Sequence, residues 1–510
     1  MITLESYVCG RWQHGSGTPR LLYNPSTEAT MAASDSTGVD FAAVVAHARE
    51  RGGPALRELG FARRAELLKT LSAALHGHRE ELIELSVQNG GNTRGDAKFD
   101  IDGAIGTLAA YAELGKELGD GNHLPDGEGV QLGRSPRFWG QHMWVTRPGI
   151  TVHINAFNFP CWGMGEKLAQ ALLAGVPVIT KPGTPTALLA WRAAQLMVET
   201  GALPEGAFQL ICGETGDLLA QLGPMDSLSF TGSSGVGAKL KATPNLVQRN
   251  VRVNIEADSL NAAILGPDVG EGDEAFAQFL GNVVTDITQK AGQKCTAVRR
   301  VLVPEESLNR VVDELVARLR AIKVGDPADD NNRMGPVASE SQLRDVRAGI
   351  AALAAHCSVS CGGVESIAER GYFVAPTLLV AADPHAAVVH GDEVFGPVAT
   401  VVPYSGNAPH AIELANRGGG CLVTSVYSNE TRWTEQVVLG IAPWHGRVWI
   451  GSDKTAGQAF PPGGVLPLTV HGGPGRAGGG EELGGRRGLQ FYMQRTAVQG
   501  FQGMVSRSFG

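Results

Sequence analysis

Cys295 sits in the stretch Gly292-Gln293-Lys294-Cys295-Thr296, just after a helix-like segment. A thiol beside a lysine at a helix end is a candidate nucleophile, because nearby positive charge favours the thiolate. Glu256 ends the apolar run Val251-Arg-Val-Asn-Ile255. A carboxylate at a strand end can act as a base toward water if the fold carries it to the thiol; taken alone, it can equally be a surface residue. Asn158, in Asn155-Ala-Phe-Asn158-Phe-Pro160, lies between strand-like and helix-like stretches. Its amide is either a pre-oriented donor to an oxyanion or a helix cap, and the loop by itself does not choose.

A fourth loop, Ser229-Phe-Thr-Gly232-Ser233-Ser-Gly235-Val-Gly237, also runs from strand to helix. Its glycines let backbone approach a phosphate, and a helix N-terminus favours an anion. Glycines at 232, 235 and 237 do not fit the G-x-G-x-x-G fingerprint. Gly473-Pro-Gly475-Arg-Ala-Gly478 does fit it. More glycine follows where a helix must begin, however, so that match reads as accidental. The other cysteines (Cys9, Cys161, Cys212, Cys357, Cys361 and Cys421) are too sparse for a disulfide framework and read as buried apolar residues. Cys357 and Cys361 lack partners at zinc spacing, and His76-Gly-His78 reads as a polar helix end, so no metal is expected.

These loops need elements to hold them. At 510 residues the chain is long enough for more than one core, and 43% hydrophobic with 18% charged residues is a globular composition. A net charge of −8 without a long basic run excludes nucleic-acid and anionic-membrane surfaces as partners. Nothing resembles a membrane span, and the N-terminus lacks the pattern of a signal peptide, which predicts a cytoplasmic protein. The first 120 residues read as mostly helical, with Leu68, Leu71 and Leu75 on one face of a helix over 61–78. Beyond residue 149, apolar runs at 150–154, 176–180, 208–211, 227–230 and 262–265 alternate with helical patterns at 162–173, 187–199 and 234–241. That alternation predicts an α/β fold with a parallel sheet covered on both faces, whose ligands sit at the carboxyl ends of the strands. A second α/β stretch covers 258–451, and the glycine-rich 461–488 reads as a surface loop.

Together with Glu393-Val-Phe-Gly-Pro397, Glu482-Leu-Gly-Gly485 and Gly488-Leu489, these loops resemble the aldehyde dehydrogenase superfamily in order and spacing. The wording of residues 154–160 and 254–261 is similar to a branch that oxidises CoA-linked semialdehydes in aromatic, including benzoate, degradation. The resemblance implies a Rossmann-like cofactor domain (1–126 and 149–257), an α/β catalytic thiol domain (258–476) and a small β oligomerisation flap (127–148 and 485–510). It implies Cys295 as nucleophile, Asn158 and the Cys295 N–H as oxyanion donors, Glu256 as base, and Lys167 in a proton relay with Glu482 and Glu166. Around the cofactor it implies Lys181 and Thr184 at the adenosine ribose, and Gly232, Ser233 and Gly237 at the pyrophosphate. Glu393 would meet the nicotinamide ribose, with Phe395 and Phe157 lining the site.

Two departures bear on function. The motif at the base reads Glu256-Ala-Asp-Ser rather than Glu-Leu-Gly-Gly. Thr184 stands where NAD-preferring members carry an acid, which predicts NADP as cofactor, with NAD as the alternative. The expected partners are a CoA-linked aldehyde and further copies of the chain, as a dimer or dimer of dimers through 137–146 and 496–504. The competing readings are a dehydrogenase of simple aliphatic or aromatic aldehydes, and a non-catalytic relative of the fold.

Overall fold

The alternation beyond residue 149 folds as its apolar runs require, in a computed structural model that describes residues 1–510. One seven-stranded sheet runs in the order Arg252–Glu256, Ser227–Thr231, Thr151–Ile154, Val178–Lys181, Phe208–Leu210, Ser6–Val8, Arg11–Gln13. Its first five strands are parallel. Thr151–Ile154 comes first among those five in sequence and lies at their centre. The chain winds from it to one side through Phe208–Leu210, then to the other through Arg252–Glu256. The strand order therefore reverses between Thr151–Ile154 and Ser227–Thr231, and a crevice opens there at the carboxyl ends. Residues 155–158, 232–233 and 256 all leave the sheet along that edge.

The helix Trp162–Ala174 is the buried support of the site. Its first amides have no partner within the helix and are taken by Asp100 of the helix Arg94–Leu118, at 2.8 Å from Trp162 N and 3.4 Å from Cys161 N. It ends at Gly175, whose φ of 88° suits a residue without a Cβ. Leu168, Leu172 and Leu173 are fully buried among the helices Phe61–Gly77, Arg94–Leu118 and Ala187–Glu199. Each contributes about 1.5–3 kcal/mol of burial.

A second seven-stranded sheet has the order Cys357–Cys361, Thr377–Ala381, Val398–Tyr404, Arg300–Pro304, Ala262–Leu265, Cys421–Tyr427, His445–Gly451. Only Cys357–Cys361 runs antiparallel to its neighbour. A third, antiparallel sheet joins His123–Gln131, Phe138–Thr146 and Met493–Phe501.

The first 120 residues are mostly helical, as expected, although the chain opens with five short strands, Ile2–Leu4 to Thr30–Ser34, before its first helix at Phe41–His47. At three to five residues they are too short to show alternation. The C-terminal flap strand is Met493–Phe501, three residues earlier than expected, and residues from 502 onward are helical. The stretch 461–488 is not a surface loop throughout. It contributes the antiparallel pair Val470–Gly472 and Glu481–Leu483, which packs beside Arg252–Glu256 and buries His471 and Glu482. Glycine permits that packing: a Cβ on Gly478, whose φ is 102°, would lie 2.3 Å from the Ile255 carbonyl oxygen.

Candidate active site

Cys295 is brought to the crevice by a backbone reversal after the helix Glu274–Thr288. Lys290 and Ala291 adopt left-handed φ of 55° and 51°, and Gly292 follows at 69°. Two non-glycine residues in that region cost about 1–2 kcal/mol each and persist only when surroundings enforce them. Gly292 cannot be replaced, since a Cβ there would lie 2.1 Å from the Gly396 carbonyl oxygen. Arg299 clamps the turn, donating to the carbonyls of Gly292 (3.0 Å), Lys294 (3.2 Å) and Gly396 (2.9 Å). Asn261 Nδ2 donates to the Cys295 carbonyl at 2.7 Å.

Asn158, Glu256 and Cys295 line one small cavity of about 40 Å³, with Lys167 and Glu166 at its wall and Phe99, Phe159 and Trp162 also lining it. Asn158 Nδ2 donates one hydrogen to the Gln293 carbonyl at 3.1 Å, which ties the asparagine to the cysteine loop and leaves its second hydrogen unclaimed. Glu256 is held at its strand end by the parallel register with Thr231. It is therefore a buried residue of the pocket, not a surface one.

His471, for which the sequence carried no motif, completes the group. Its Nε2 lies 3.2 Å from Glu256 Oε1 and 3.8 Å from Cys295 Sγ. Burial by itself raises the pKa of Glu256, but the charge and contact of His471 and the charge of Lys167 outweigh it and hold the carboxyl at about 2. Burial lowers the pKa of His471, and Glu256 more than reverses that, so the imidazole is held above its ordinary value. Cys295 moves the other way: burial and the neighbouring Glu256 push its thiol well up.

Lys294 does not activate the thiol, contrary to expectation. Its ammonium turns away to Asp286 (2.7 Å) and Gln289 (2.9 Å). The left-handed turn folds residue 294 back against its own helix, so a neighbour in sequence becomes a strut of the loop.

Behind Glu256 lies a buried charge cluster. Lys167 Nζ is 3.0 Å from Glu482 Oε2 and 3.4 Å from Glu166 Oε1. Glu482 Oε1 accepts from Ser229 Oγ (3.0 Å) and Asn254 Nδ2 (3.2 Å). Carboxylate oxygens of Glu166, Glu256 and Glu482 lie within 4.8 Å of one another. Burial raises Glu166 to about 7 against the opposing charge of Lys167.

Next to this pocket opens a cleft of about 480 Å³ lined by Asn155, Phe157, Gly232, Ser233, Glu393 and Phe395, among others, and sharing Asn158, Glu256 and Cys295 with it. Phe157 and Phe395 meet edge to face at 5.9 Å, and Arg299 stacks on Phe395 at 5.4 Å. Glu393 accepts from Arg299 (3.3 Å) and from the Ser259 amide (3.1 Å), while burial raises it to about 7. Lys181 Nζ is 3.4 Å from Thr184 Oγ1. Ser233 caps the helix Ser234–Lys241, and Gly237 is buried on that helix. Asp258 takes the Ser234 amide at 2.8 Å and Ser233 Oγ takes the Val236 amide at 3.4 Å, which leaves the Gly235 amide between them free at that helix end. Asn155 Oδ1 and Thr231 Oγ1 line the cleft, buried and without partners. Unpaired buried polar atoms beside an aromatic slot and an open helix end suit a polar, aromatic, phosphorylated ligand, and these residues fit a dinucleotide.

Residues 12–498 match the model of the aldehyde dehydrogenase family. The chain is 44% identical over 478 residues to 3,4-dehydroadipyl-CoA semialdehyde dehydrogenase of Aromatoleum evansii, covering 92% of this chain and 93% of that one. It superposes on lactaldehyde dehydrogenase from Escherichia coli with a TM-score of 0.86 at 25% identity, over 98% and 99% of the two chains. An NAD+ complex of aldehyde dehydrogenase from Bacillus cereus gives 0.85 at 25% identity, over 98% and 97%. No helix is long and apolar enough to cross a membrane.

Proposed function

The chain belongs to the aldehyde dehydrogenase family, and from that premise we propose that it oxidises a CoA-linked semialdehyde to the carboxylate with NADP, through a covalent adduct on Cys295. The observation that carries this reading is the meeting of Cys295, Asn158 and Glu256 in one pocket that opens onto the cleft holding Glu393 and Phe395. The Cys295 thiol gives up its proton to water, and the thiolate so formed adds to the aldehyde carbon. The oxyanion that forms is held by the free hydrogen of Asn158 Nδ2 and by the Cys295 N–H. Bound nicotinamide supplies the acceptor for the hydride that leaves this adduct. Glu256 then takes a proton from the water that attacks the thioester, which releases the carboxylate and frees Cys295 as the thiolate. His471 holds Glu256 ionised and in place. The Glu166–Lys167–Glu482 cluster lies next along the route by which that proton reaches solvent.

Lys181 and Thr184 support NADP. Position 184 carries no carboxylate to repel a 2′-phosphate, and Lys181 beside it supplies positive charge. Chemistry supports a substrate that enters by one end: Phe99, Phe159 and Trp162 set aromatic walls beside Cys295 that suit the apolar chain of a semialdehyde, with the polar CoA group left toward solvent. The name of the Aromatoleum evansii relative agrees with that class. Seven unpaired cysteines suit a reducing, cytoplasmic setting. The flap sheet of Phe138–Thr146 and Met493–Phe501 is the surface through which copies would assemble, as a dimer or dimer of dimers, which sedimentation would resolve.

The test is kcat/KM for a CoA-linked semialdehyde against a free aldehyde of equal chain length, each with NADP and with NAD. The reading requires the CoA-linked substrate and NADP to be preferred. Equal use of the free aldehyde removes the substrate proposal, and an NAD preference removes the cofactor proposal.

A further inference from the structure

We propose that Cys295, Glu256 and His471 form a binding site for Zn2+, or a similarly thiophilic divalent cation, inside the pocket assigned to aldehyde chemistry. Thiolate sulfur, imidazole nitrogen and carboxylate oxygen are the donors that zinc takes, in tetrahedral array. Here one such atom from each residue lies within 4.8 Å of the other two.

The edges of that triangle can be compared with those an ion would impose. Bonds of about 2.0 Å to nitrogen and oxygen and about 2.3 Å to sulfur, at tetrahedral angles, place N···O near ~3.3 Å and S···N near ~3.6 Å. The structure has 3.2 Å from His471 Nε2 to Glu256 Oε1 and 3.8 Å from Nε2 to Cys295 Sγ. Rotations well inside one rotamer basin close those differences.

One further observation points the same way. Glu256 Oε1 is buried and accepts no aligned hydrogen bond, although Nε2 is 3.2 Å away. A thiolate, a carboxylate and a neutral imidazole around a dication would also leave no net charge on the ion and its three ligands. The neighbouring trio Glu166, Glu256 and Glu482 differs, because the Lys167 ammonium already sits among its carboxylates.

Each ligand is fixed from behind, as a metal site needs. Glu256 ends a paired strand, Cys295 sits in the loop clamped by Arg299 and Asn261, and His471 is centred in Val470–Gly472. Binding exchanges the thiol proton of Cys295 and the imidazolium proton that Glu256 helps His471 to hold, both of which pass to water, for the metal, with no change of oxidation state. The ion then holds the sulfur that would attack the aldehyde, so zinc acts as a reversible inhibitor competing for Cys295.

The experiment uses the purified full chain without substrate or cofactor and reads metal binding directly, so its failure leaves the aldehyde reading untouched. Equilibrium dialysis against Zn2+ should give one tightly bound equivalent per chain. Co2+ in its place should show the near-ultraviolet charge-transfer absorption of a cobalt thiolate, absent in Cys295→Ser. Bound Zn2+ should slow alkylation of Cys295 by iodoacetamide in proportion to occupancy. His471→Gln, checked for native circular dichroism, should weaken binding roughly a hundredfold. If that variant does not fold, the cobalt band in wild type and in Cys295→Ser decides. Three results overturn the proposal: no stoichiometric Zn2+, equal affinity in folded His471→Gln, or an unchanged rate of Cys295 alkylation.

Discussion

Replacing Glu482 by Gln takes away the carboxylate 3.0 Å from the Lys167 ammonium and leaves Glu166, at 3.4 Å, as its one remaining ion-pair partner. Lys167 is 1% exposed, so water cannot make up the difference. Removing one partner of a buried ion pair costs about 3–5 kcal/mol. Glu166 absorbs part of that loss. The charge of Glu482 is one cause of its raised pKa of about 7, so without Glu482 the Glu166 carboxyl ionises more fully beside Lys167. That places the expected cost near the lower end, about 3 kcal/mol. An unfolding entropy of about 2.1 cal/mol/K per residue gives about 1.1 kcal/mol/K for 510 residues, hence a Tm lower by about 3 °C. Calorimetry of Glu482→Gln, Lys167→Met and the Lys167→Met/Glu482→Gln double variant at neutral pH measures it. Removing both charges should recover much of the loss, with a coupling of about 2 kcal/mol. A Glu482→Gln enzyme with unchanged Tm, or additive effects across the cycle, would refute the buried pair as the anchor of this wall of the pocket.

Asn158→Ala should lower kcat by roughly 10²–10³ with KM little changed, because it removes a donor to the oxyanion; a small effect on kcat would return Asn158 to the role of tying loops together. Thr184→Glu should set a carboxylate against Lys181, and kcat/KM for NADP relative to NAD should fall by roughly tenfold or more. Glu393 is raised to about 7 by burial, so it is neutral below that pH and a carboxylate above it. The carboxylate accepts from ribose hydroxyls more strongly than the neutral acid does, so KM for the cofactor should rise by up to roughly tenfold as pH falls from about 8 to about 6. Glu393→Gln should flatten that profile.

Several elements were legible. The helices Ala187–Glu199 and Ser234–Lys241 have the ends that their apolar spacing predicts, and the strand Ala262–Leu265 has those of its continuous apolar run. So were the loops carrying residues 158, 256 and 295, because each lies at an end of an apolar strand-like run or helix-like segment, and the structure brings all three to one pocket. His471 was not. It stands in a glycine-rich stretch with neither period, and only the approach of glycine backbone to Ile255 makes that stretch part of the pocket wall. The role of Lys294 was misread for a related reason: adjacency in sequence ceases to mean adjacency of side chains after residues 290–292 reverse the chain.

In the proposed reaction Cys295 forms a thioester which Glu256 hydrolyses. Rapid mixing of Glu256→Gln with a CoA-linked semialdehyde and NADP, followed by acid quench and mass measurement of the intact chain and of its proteolytic peptides, tests it directly. A fast burst of reduced cofactor is expected, close to one per active site, with an acyl mass increment on the peptide bearing Cys295 and steady turnover nearly lost. Undiminished steady turnover in that variant, or a burst with no adduct on Cys295, would contradict it.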